Sequence, residues 1–190
     1  MDPLAKNIIS ACWGIFIPVW IIASLFTKRT VFRESGPRRL LYILPILLGW
    51  YLVFRGYRLG SPFSNQLIPE TDAVLGAAAI LCVCGLAFCL WARAVLGRNW
   101  SGTVTLKEDH ELIVRGPYHL VRHPIYTGLL AMLLATWMEH SHIAGLIGLV
   151  FTSVSFWIKL RQEEEVMHKQ FPDQYAAYQQ RVKRLIPFVL

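Results

Sequence analysis

Five apolar stretches, separated by polar segments, make up most of this chain. They cover about residues 7–26, 40–54, 73–96, 125–138 and 143–160. A helix needs about 20 predominantly apolar residues to cross the hydrocarbon layer of a bilayer. The first and third stretches reach that length, whereas the fourth is short enough that a full crossing stays open. The pattern predicts an all-α fold with about five transmembrane helices.

The polar segments between these stretches differ in length. Residues 139–142 leave room only for a tight turn, so the fourth and fifth helices are predicted to form a helical hairpin. Residues 97–122 form a long loop, in which residues 104–107 and 111–114 have the composition of short strands or extended arms. We therefore expect more from this loop than a simple connection.

The polar C-terminal tail continues with helical spacing. Within residues 163–186, Pro172 lacks the amide hydrogen that a helix interior requires, so the tail is predicted to form two helical pieces. No repeat or change of composition marks a second domain. Residues 1–190 are therefore interpreted as one domain, with three helices in residues 1–96 and the loop, the last two helices and the tail in residues 97–190.

Composition favours a membrane protein and argues against a nucleic-acid partner. Hydrophobic residues make up 55% of the chain and charged residues only 16%, where a soluble domain has about a quarter. The net charge of +7 would suit nucleic acid, but the basic residues lie between apolar stretches and form no single basic face or tail. The four cysteines lie within apolar stretches, where small packing residues are expected.

Basic residues are concentrated in alternate connections along the chain. The segments after the first, third and fifth stretches carry most of them: Lys28, Arg29, Arg33, Arg38, Arg39, Arg98, Lys107, Arg115, Arg122, Arg161, Lys169, Arg181, Lys183 and Arg184. Cytosolic loops of membrane proteins carry an excess of lysine and arginine. The N-terminus is therefore predicted to lie outside, and the long loop, the tail and the C-terminus in the cytosol.

The end of the long loop, residues 116–128, is dense in functional side chains. It holds two histidines, an arginine, two tyrosines and two prolines, and ionisable groups at a membrane edge are functional candidates. His119 and His123 have the i, i+4 spacing of a helical zinc pair, but Pro124 disfavours a continuous helix there and no third ligand is evident. A metal site is therefore not predicted.

A second polar cluster, residues 161–165, follows directly on the fifth stretch. Arg161 and Glu165 are i and i+4 and share one helical face, which from spacing alone is more typical of a solvated turn. Three consecutive carboxylates repel one another unless cations or donors surround them, and a ligand with an ammonium group and several hydroxyls would do so. The residues alone thus indicate a membrane protein with a cytosolic polar pocket, and they favour an enzyme.

The order of these blocks closely resembles the isoprenylcysteine carboxyl methyltransferase family, which is grouped with phospholipid and other small membrane methyltransferases. The resemblance rests on residues 110–118, 122–126 (Arg-His-Pro-Ile-Tyr) and 161–165 (Arg-Gln-Glu-Glu-Glu), with further matches at 96–101, 171–175 and 184–187. It extends over about residues 90–190, and the earlier helices match only in hydropathy. The short chain is similar to prokaryotic members, and Pro172 stands where relatives commonly have glycine.

This resemblance implies an S-adenosylmethionine-dependent methyltransferase, with its cofactor-binding and catalytic region in residues 97–190. The positions implied to bind the cofactor are His110, Glu111, Leu112, Ile113, Tyr118, His123, Pro124, Ile125, Tyr126 and Glu165. Arg161 is implied to be the catalytic and substrate-binding residue, because a guanidinium grips a carboxylate with two parallel hydrogen bonds. The implied acceptor is lipophilic, by analogy the carboxylate of a C-terminal isoprenylcysteine, and enters from the bilayer while the cofactor arrives from the cytosol.

Other functions stay open at this point. Phospholipid or other small-molecule N- or S-methylation is the nearest alternative, because prokaryotes generally lack prenylated proteins. An NADPH-dependent membrane reductase is a further one, since sterol reductases have a related C-terminal region, but those chains have more spans than fit here. A small transporter or assembly factor would place polar residues at mid-span, whereas here the ionisable groups gather at the edges.

Overall fold

The computed structural model describes residues 3–189 and is mostly helical. Its α-helices are α1 (Pro3–Ser24), α2 (Gly36–Arg55), α3 (Asp72–Leu96), α4 (Pro124–His140), α5 (Ile143–Gln170) and α6 (Pro172–Arg181). Short 3-10 turns lie at Gly56–Leu59, Gly97–Asn99 and Gly116–His119. Two strands, β1 (Thr30–Arg33) and β2 (Thr105–Lys107), pair antiparallel. The predicted helical membrane fold is confirmed, and this small sheet is an addition to it.

Prolines and capping side chains set where several helices begin. α2, α4 and α6 each carry a proline in their first turn, where its missing amide hydrogen leaves no helical bond unmade. At the start of α3 the Thr71 side chain accepts a hydrogen bond from the Val74 amide, and at the start of α5 His142 Nδ1 accepts one from the Gly145 amide. The break between α5 and α6 falls at Pro172, as predicted.

Four helical segments within residues 3–189 are long and apolar enough to cross a membrane: Pro3–Ser24, Gly36–Leu59, Asp72–Asn99 and Ile143–Gln170. α4 has 17 residues, which at about 1.5 Å per residue cover roughly 25 Å of the ~30 Å hydrocarbon layer. Many large apolar side chains are exposed on the helices, including Ile15, Ile21, Leu44, Leu47, Ile80 and Val150. The chain is a multi-pass membrane protein, and the predicted count of five full spans is not confirmed.

Both polar clusters lie at the same end of the helices. There β1, between α1 and α2, pairs with β2 in the long loop, and the Arg122 amide donates to the Lys183 carbonyl of the tail (2.7 Å). At the other end the Leu67 amide donates to the Ser141 carbonyl (2.8 Å), which joins the loop after α2 to the turn after α4. The chain therefore runs five times between its two ends. We name the end with β1, β2 and the tail the loop end.

Glycines bring the helices together in two close pairs, α3 with α4 and α2 with α5. A Cβ atom added at Gly128 would lie 2.6 Å from the Gly85 carbonyl oxygen, and one added at Gly49 would lie 2.6 Å from the Gly148 carbonyl oxygen. Small residues allow helix backbones to approach this closely within a membrane. The tight turn between α4 and α5 is present as predicted. However, these two helices pack mainly against α3 and α2, so the predicted hairpin is not a closely packed pair.

The long loop contains one of the two strands that the sequence predicted. Residues 105–107 form β2, within one residue of the predicted strand at 104–107. Residues 111–114 form no strand, so of the two possibilities for this segment, a short strand or an extended arm, the strand is excluded. Leu112 instead packs against Tyr175 and Tyr178 of α6, which means that side-chain contacts with the tail, not strand pairing, hold this segment.

Candidate active site

A cavity of about 380 Å³ lies at the loop end, between α2, α4, α5 and the long loop. Part of its wall is mixed, with polar and apolar side chains, and comes from residues 99–105 and 110–113 of the loop, together with Tyr118, Tyr175 and Tyr178. Another part is apolar and consists of Trp20, Ile43, Ile46, Trp50, Leu129 and Phe156. The cavity therefore offers room for a polar group and an apolar group side by side.

Nine of the ten positions predicted to bind a cofactor line this cavity. They are His110, Glu111, Leu112, Ile113, Tyr118, His123, Pro124, Ile125 and Tyr126. Glu165 is not among the lining residues, and neither is Arg161. The structure thus brings two separate parts of the loop into one place, while the role of each side chain stays a prediction.

His110 is the first residue of segment 110–113, which lines the cavity. It follows Asp109, whose φ of 47° lies in the left-handed region that a turn often requires. His110 Nδ1 is buried and has no hydrogen-bond partner among the described residues. Burial, together with nearby Lys28 and Lys107, lowers the pKa of His110 below its ordinary value, so the imidazole is neutral at pH 7. This ring therefore has an uncommitted nitrogen for a ligand.

Glu164 is the centre of a buried ion network that fixes part of the cavity wall. Its carboxylate accepts hydrogen bonds from Arg122 Nη2 (2.8 Å) and Arg184 Nη2 (3.0 Å). Gln179 Nε2 donates to it as well (3.2 Å), and His123 Nε2 lies 3.2 Å away. Two guanidinium groups offset the cost of burying this charge. Because its partners come from the loop and the tail, the network ties both to α5.

Glu163 lines the cavity beside that network. The Tyr126 hydroxyl donates to Glu163 Oε1 (2.6 Å), and His123 Nδ1 lies 3.6 Å from Glu163 Oε2. The Tyr126 ring stacks on Phe156, with ring centroids 4.8 Å apart. Glu163 and Tyr126 therefore connect the polar part of the wall to the apolar part.

Lys159 places a buried ammonium group at the same junction. Its Nζ donates to the Gly102 carbonyl (2.7 Å) and lies 3.8 Å from Glu163 Oε1. The ring centroids of Tyr42 and Tyr126 are 5.5 Å and 5.3 Å from this nitrogen, which is within range of a cation–π interaction. The Lys159 side chain is only 9% exposed.

Arg161 and Glu165 lie on a face of α5 that is turned away from this cavity. Arg161 is exposed, and its guanidinium lies over the Trp157 ring, 5.4 Å from the centroid. Glu165 is exposed and lines a separate cavity beside Arg33. The two residues share one helical face, as their i, i+4 spacing predicts. The expectation that this face lines the same pocket as the loop is corrected, because the helix is rotated the other way.

The cavity-facing stripe of α5 was missed by sequence reasoning, although its spacing was visible. It consists of Phe156, Lys159, Glu163, Val166 and Met167, which recur with the period of one helical face. The neighbouring stripe with Arg161 and Glu165 is equally polar, so the sequence did not distinguish which one faces inward. Tyr42 was missed as well, because it lies within an apolar stretch.

The structure gives no support to a zinc site at the histidine pair. His119 is exposed, whereas both ring nitrogens of His123 lie near Glu163 and Glu164. Within residues 3–189 no group of three histidine, cysteine, aspartate or glutamate side chains is placed to hold a metal ion.

Fold and cavity together define a class: a multi-pass helical membrane protein with a polar cavity bordered by apolar residues at one end. Comparison with known proteins then shows what the chain is similar to. Residues 78–169, just under half of the chain, match the model of the isoprenylcysteine carboxyl methyltransferase family.

Two curated relatives and one solved structure illustrate the similarity. Protein-S-isoprenylcysteine O-methyltransferase B of Arabidopsis thaliana is 31% identical over 96 residues, which are 49% of this chain and 49% of that protein. Protein-S-isoprenylcysteine O-methyltransferase of Saccharomyces cerevisiae is 28% identical over 130 residues, 67% of this chain and 54% of that protein. The structure of the eukaryotic intramembrane Ras methyltransferase has a similar fold (TM-score 0.53, 23% identity, 84% of this chain and 55% of that one). The chain spans about half the length of the curated relatives it matches.

Proposed function

We propose that this chain is an S-adenosylmethionine-dependent membrane methyltransferase. Its acceptor is lipophilic, by analogy with the family the carboxylate of a C-terminal isoprenylcysteine. The observation that carries the proposal is the common location of residues 110–113, Tyr118 and residues 123–126 in one cavity that also has apolar walls. A polar cofactor and a lipid-like acceptor must meet in such a site.

The cavity suits the cofactor because it contains polar atoms that lack hydrogen-bond partners within residues 3–189. His110 Nδ1, Asn99 Oδ1 and Thr105 Oγ1 are buried without hydrogen bonds among the described residues, and all three residues line the cavity. Buried polar groups are normally hydrogen-bonded, so these atoms are suited to a polar ligand. Residues 110–113, Tyr118 and residues 123–126 would hold the cofactor. When bound, S-adenosylmethionine supplies a methyl group on a positively charged sulfur, which keeps the electron pair of the bond that breaks.

The apolar wall suits an acceptor that arrives from the bilayer. Trp20 of α1 and Ile43, Ile46 and Trp50 of α2 line the cavity. α1 packs mainly on α3, whereas α2 packs mainly on α5, so these two consecutive helices belong to different helix pairs. We infer that the acceptor enters between α1 and α2, with its apolar chain along these side chains.

The chain's own residues would contribute position and exclusion of water. A carboxylate is already a nucleophile at neutral pH and needs no base, so its orientation decides the rate. Tyr118 and Tyr126 are each 8% exposed and shield the cavity from solvent. The Glu164 network holds the loop and the tail against α5, which keeps that shield in place.

Methylation of an amine or a thiol on a phospholipid or another small molecule is the second candidate. Glu163 favours it, since this carboxylate lines the cavity and could take the proton that such an acceptor must lose. The two candidates share the cofactor and differ in the charge of the acceptor.

Titration of the purified chain with S-adenosylhomocysteine and, separately, with NADPH tests the proposal by calorimetry. We expect saturable binding of S-adenosylhomocysteine and none of NADPH. The substitution Leu112→Asp, which places a charge against Tyr175 and Tyr178, should weaken S-adenosylhomocysteine binding at least tenfold. NADPH binding without S-adenosylhomocysteine binding would contradict the proposal.

The loop end is proposed to face the cytosol, where S-adenosylmethionine is available. The basic residues of the loop and the tail support this orientation through the positive-inside rule, with the N-terminus outside. A single cysteine introduced at exposed Glu108, in a variant without the native cysteines, should react with an impermeant maleimide only after the cells are opened. Labelling at this position in intact cells would contradict the proposed orientation and place the loop end outside the cytosol.

A further inference from the structure

Lys159, which lines the candidate active-site cavity, has fewer hydrogen-bond partners within residues 3–189 than Arg122. Arg122 is the other arginine or lysine among the described lining residues. All three of its guanidinium nitrogens are engaged, Nε and Nη2 by Glu164 and Nη1 by the Val182 carbonyl. Lys159, in contrast, donates one of its three N–H groups to the Gly102 carbonyl. Its Nζ lies 3.8 Å from Glu163, beyond the length of a normal hydrogen bond.

The surroundings of Lys159 place this ammonium where the apolar wall meets the polar one. Its Nζ faces the rings of Tyr42 and Tyr126. Tyr42 precedes Ile43 on α2, and Tyr126 stacks on Phe156, so both rings border the surface along which we infer the acceptor chain to lie. The charged end of a lipophilic acceptor lying along this wall would therefore reach Lys159.

We propose that Lys159 binds the anionic end of the acceptor and makes the cavity selective for a carboxylate over an amine. This inference rests on the proposed function and names its substrate class. Lys159 thereby takes the place that the sequence suggested for Arg161, which is exposed and lies over Trp157 outside the cavity. A buried ammonium that is incompletely paired gains from an anionic ligand and repels a cationic one.

Transfer to a carboxylate requires no proton movement at Lys159. A carboxylate oxygen provides the electron pair for the new bond to the methyl carbon, and no proton has to leave the acceptor. Lys159 can therefore keep its proton throughout and act through charge alone. An amine acceptor is a cation at neutral pH and becomes a cation again when it takes up the methyl group, and an adjacent ammonium repels both cationic forms.

Three probes that share the farnesyl thioether and carry end groups of different charge test the selectivity. They are N-acetyl-S-farnesylcysteine (an anion), its carboxamide (neutral) and S-farnesylcysteamine (a cation). In the native protein in lipid nanodiscs, the acid should bind at least tenfold more tightly than the amide, and the cation should bind weakest. Lys159→Met should reduce the ratio of acid to amide affinity to about one, with S-adenosylhomocysteine affinity changed less than threefold. Lys169→Met, on the exposed end of the same helix, is the matched control and should keep the native ratio.

The same measurements separate Lys159 from its rivals. If Arg161→Met abolishes the acid preference while Lys159→Met preserves it, the proposal is overturned in favour of the sequence-based role of Arg161. If Lys159→Met leaves the ratio unchanged but weakens S-adenosylhomocysteine more than tenfold, Lys159 serves the cofactor and the proposal is overturned as well.

A second variant keeps the test valid if Lys159→Met does not fold. Lys159→Gln removes the charge but retains an N–H donor for the Gly102 carbonyl, and we expect the same loss of acid preference. An acid preference that persists in Lys159→Gln overturns the proposal. Failure of the native protein to bind S-adenosylhomocysteine would instead overturn the proposed function itself, so the two failures are distinguishable.

Discussion

The cavity has one wall from the long loop and one from α5, and these walls follow from the sequence in different ways. In the loop, consecutive residues such as 110–113 and 123–126 reach the cavity together. In α5, each residue is turned by about 100° from the previous one, so neighbours have different surroundings. Glu163 lines the cavity, Glu164 is buried in an ion network and Glu165 is exposed. Three identical adjacent side chains are thus expected to respond very differently to the same substitution.

The largest contrast is expected between Glu164→Gln and Glu165→Gln. Glu164→Gln leaves the buried Arg122 and the nearby Arg184 without their carboxylate, which should lower the free energy of unfolding by about 3–5 kcal/mol. Glu165→Gln changes an exposed side chain and should shift it by less than about 0.5 kcal/mol. Thermal and denaturant unfolding of the purified variants in one detergent measures both. Equal losses of stability would contradict the environments described for these two residues.

A smaller loss of stability is expected from a substitution at the contact between α3 and α4, the two helices that the long loop connects. In Gly128→Ala the added carbon would lie 2.6 Å from the Gly85 carbonyl oxygen, and the helices must separate, at a cost of roughly 1–3 kcal/mol. Gly76→Ala on α3 is the matched control, since among the described residues no atom beyond its chain neighbours and its own helix backbone lies within 4 Å of the added carbon. Its stability should be unchanged or slightly higher, because alanine favours a helix over glycine. The melting temperatures of the two variants decide between these outcomes.

The sequence-based predictions were more successful for the loop than for α5. Hydropathy was sufficient for the helices, and Pro172 for the break in the tail, because both depend on local chemistry. Residues 110–113, Tyr118 and residues 123–126 line one cavity because the loop carries them there, and their role in binding a cofactor stays a prediction. The rotation of α5 was not predictable, because Lys159 and Arg161 lie on equally polar stripes and only packing against α2 decides which stripe faces inward. The role of Glu164 was hidden for another reason: its partner Arg184 lies 20 residues away.

Removal of the hydrogen bond between Tyr126 and Glu163 tests whether the contact between the loop wall and the α5 wall contributes to methyl transfer. Tyr126→Phe removes the hydroxyl that donates to Glu163 but keeps the ring on Phe156. Hydrogen bonds to charged groups contribute about 1.5 kcal/mol or more, so methyl transfer to the farnesylated acid should fall about tenfold. Tyr51→Phe, on the exposed surface of α2, should retain the native rate. Initial rates at saturating S-adenosylmethionine measure this difference. Equal rates for both variants would show that the Tyr126 hydroxyl has no role in methyl transfer.

The smallest expected effect concerns pH and the loop wall alone. Because burial lowers the pKa of His110, the neutral ring persists down to below pH 6.5, and its protonation would repel a positively charged cofactor. Affinity for S-adenosylmethionine should be constant from about pH 8 to 6.5 and should fall severalfold at lower pH. His110→Asn should remove this fall, as calorimetry at each pH would show. A fall that begins well above pH 6.5, or one that persists in His110→Asn, would assign the effect to another group.

A structure of the full chain with bound S-adenosylhomocysteine, determined in lipid nanodiscs, tests the location of the site most directly. We predict the ligand in the candidate active-site cavity, in contact with residues 110–113 and Tyr118, with Glu165 outside its reach. S-adenosylhomocysteine bound instead beside Glu165 and Arg33, in the separate cavity on the outer face of α5, would contradict this assignment.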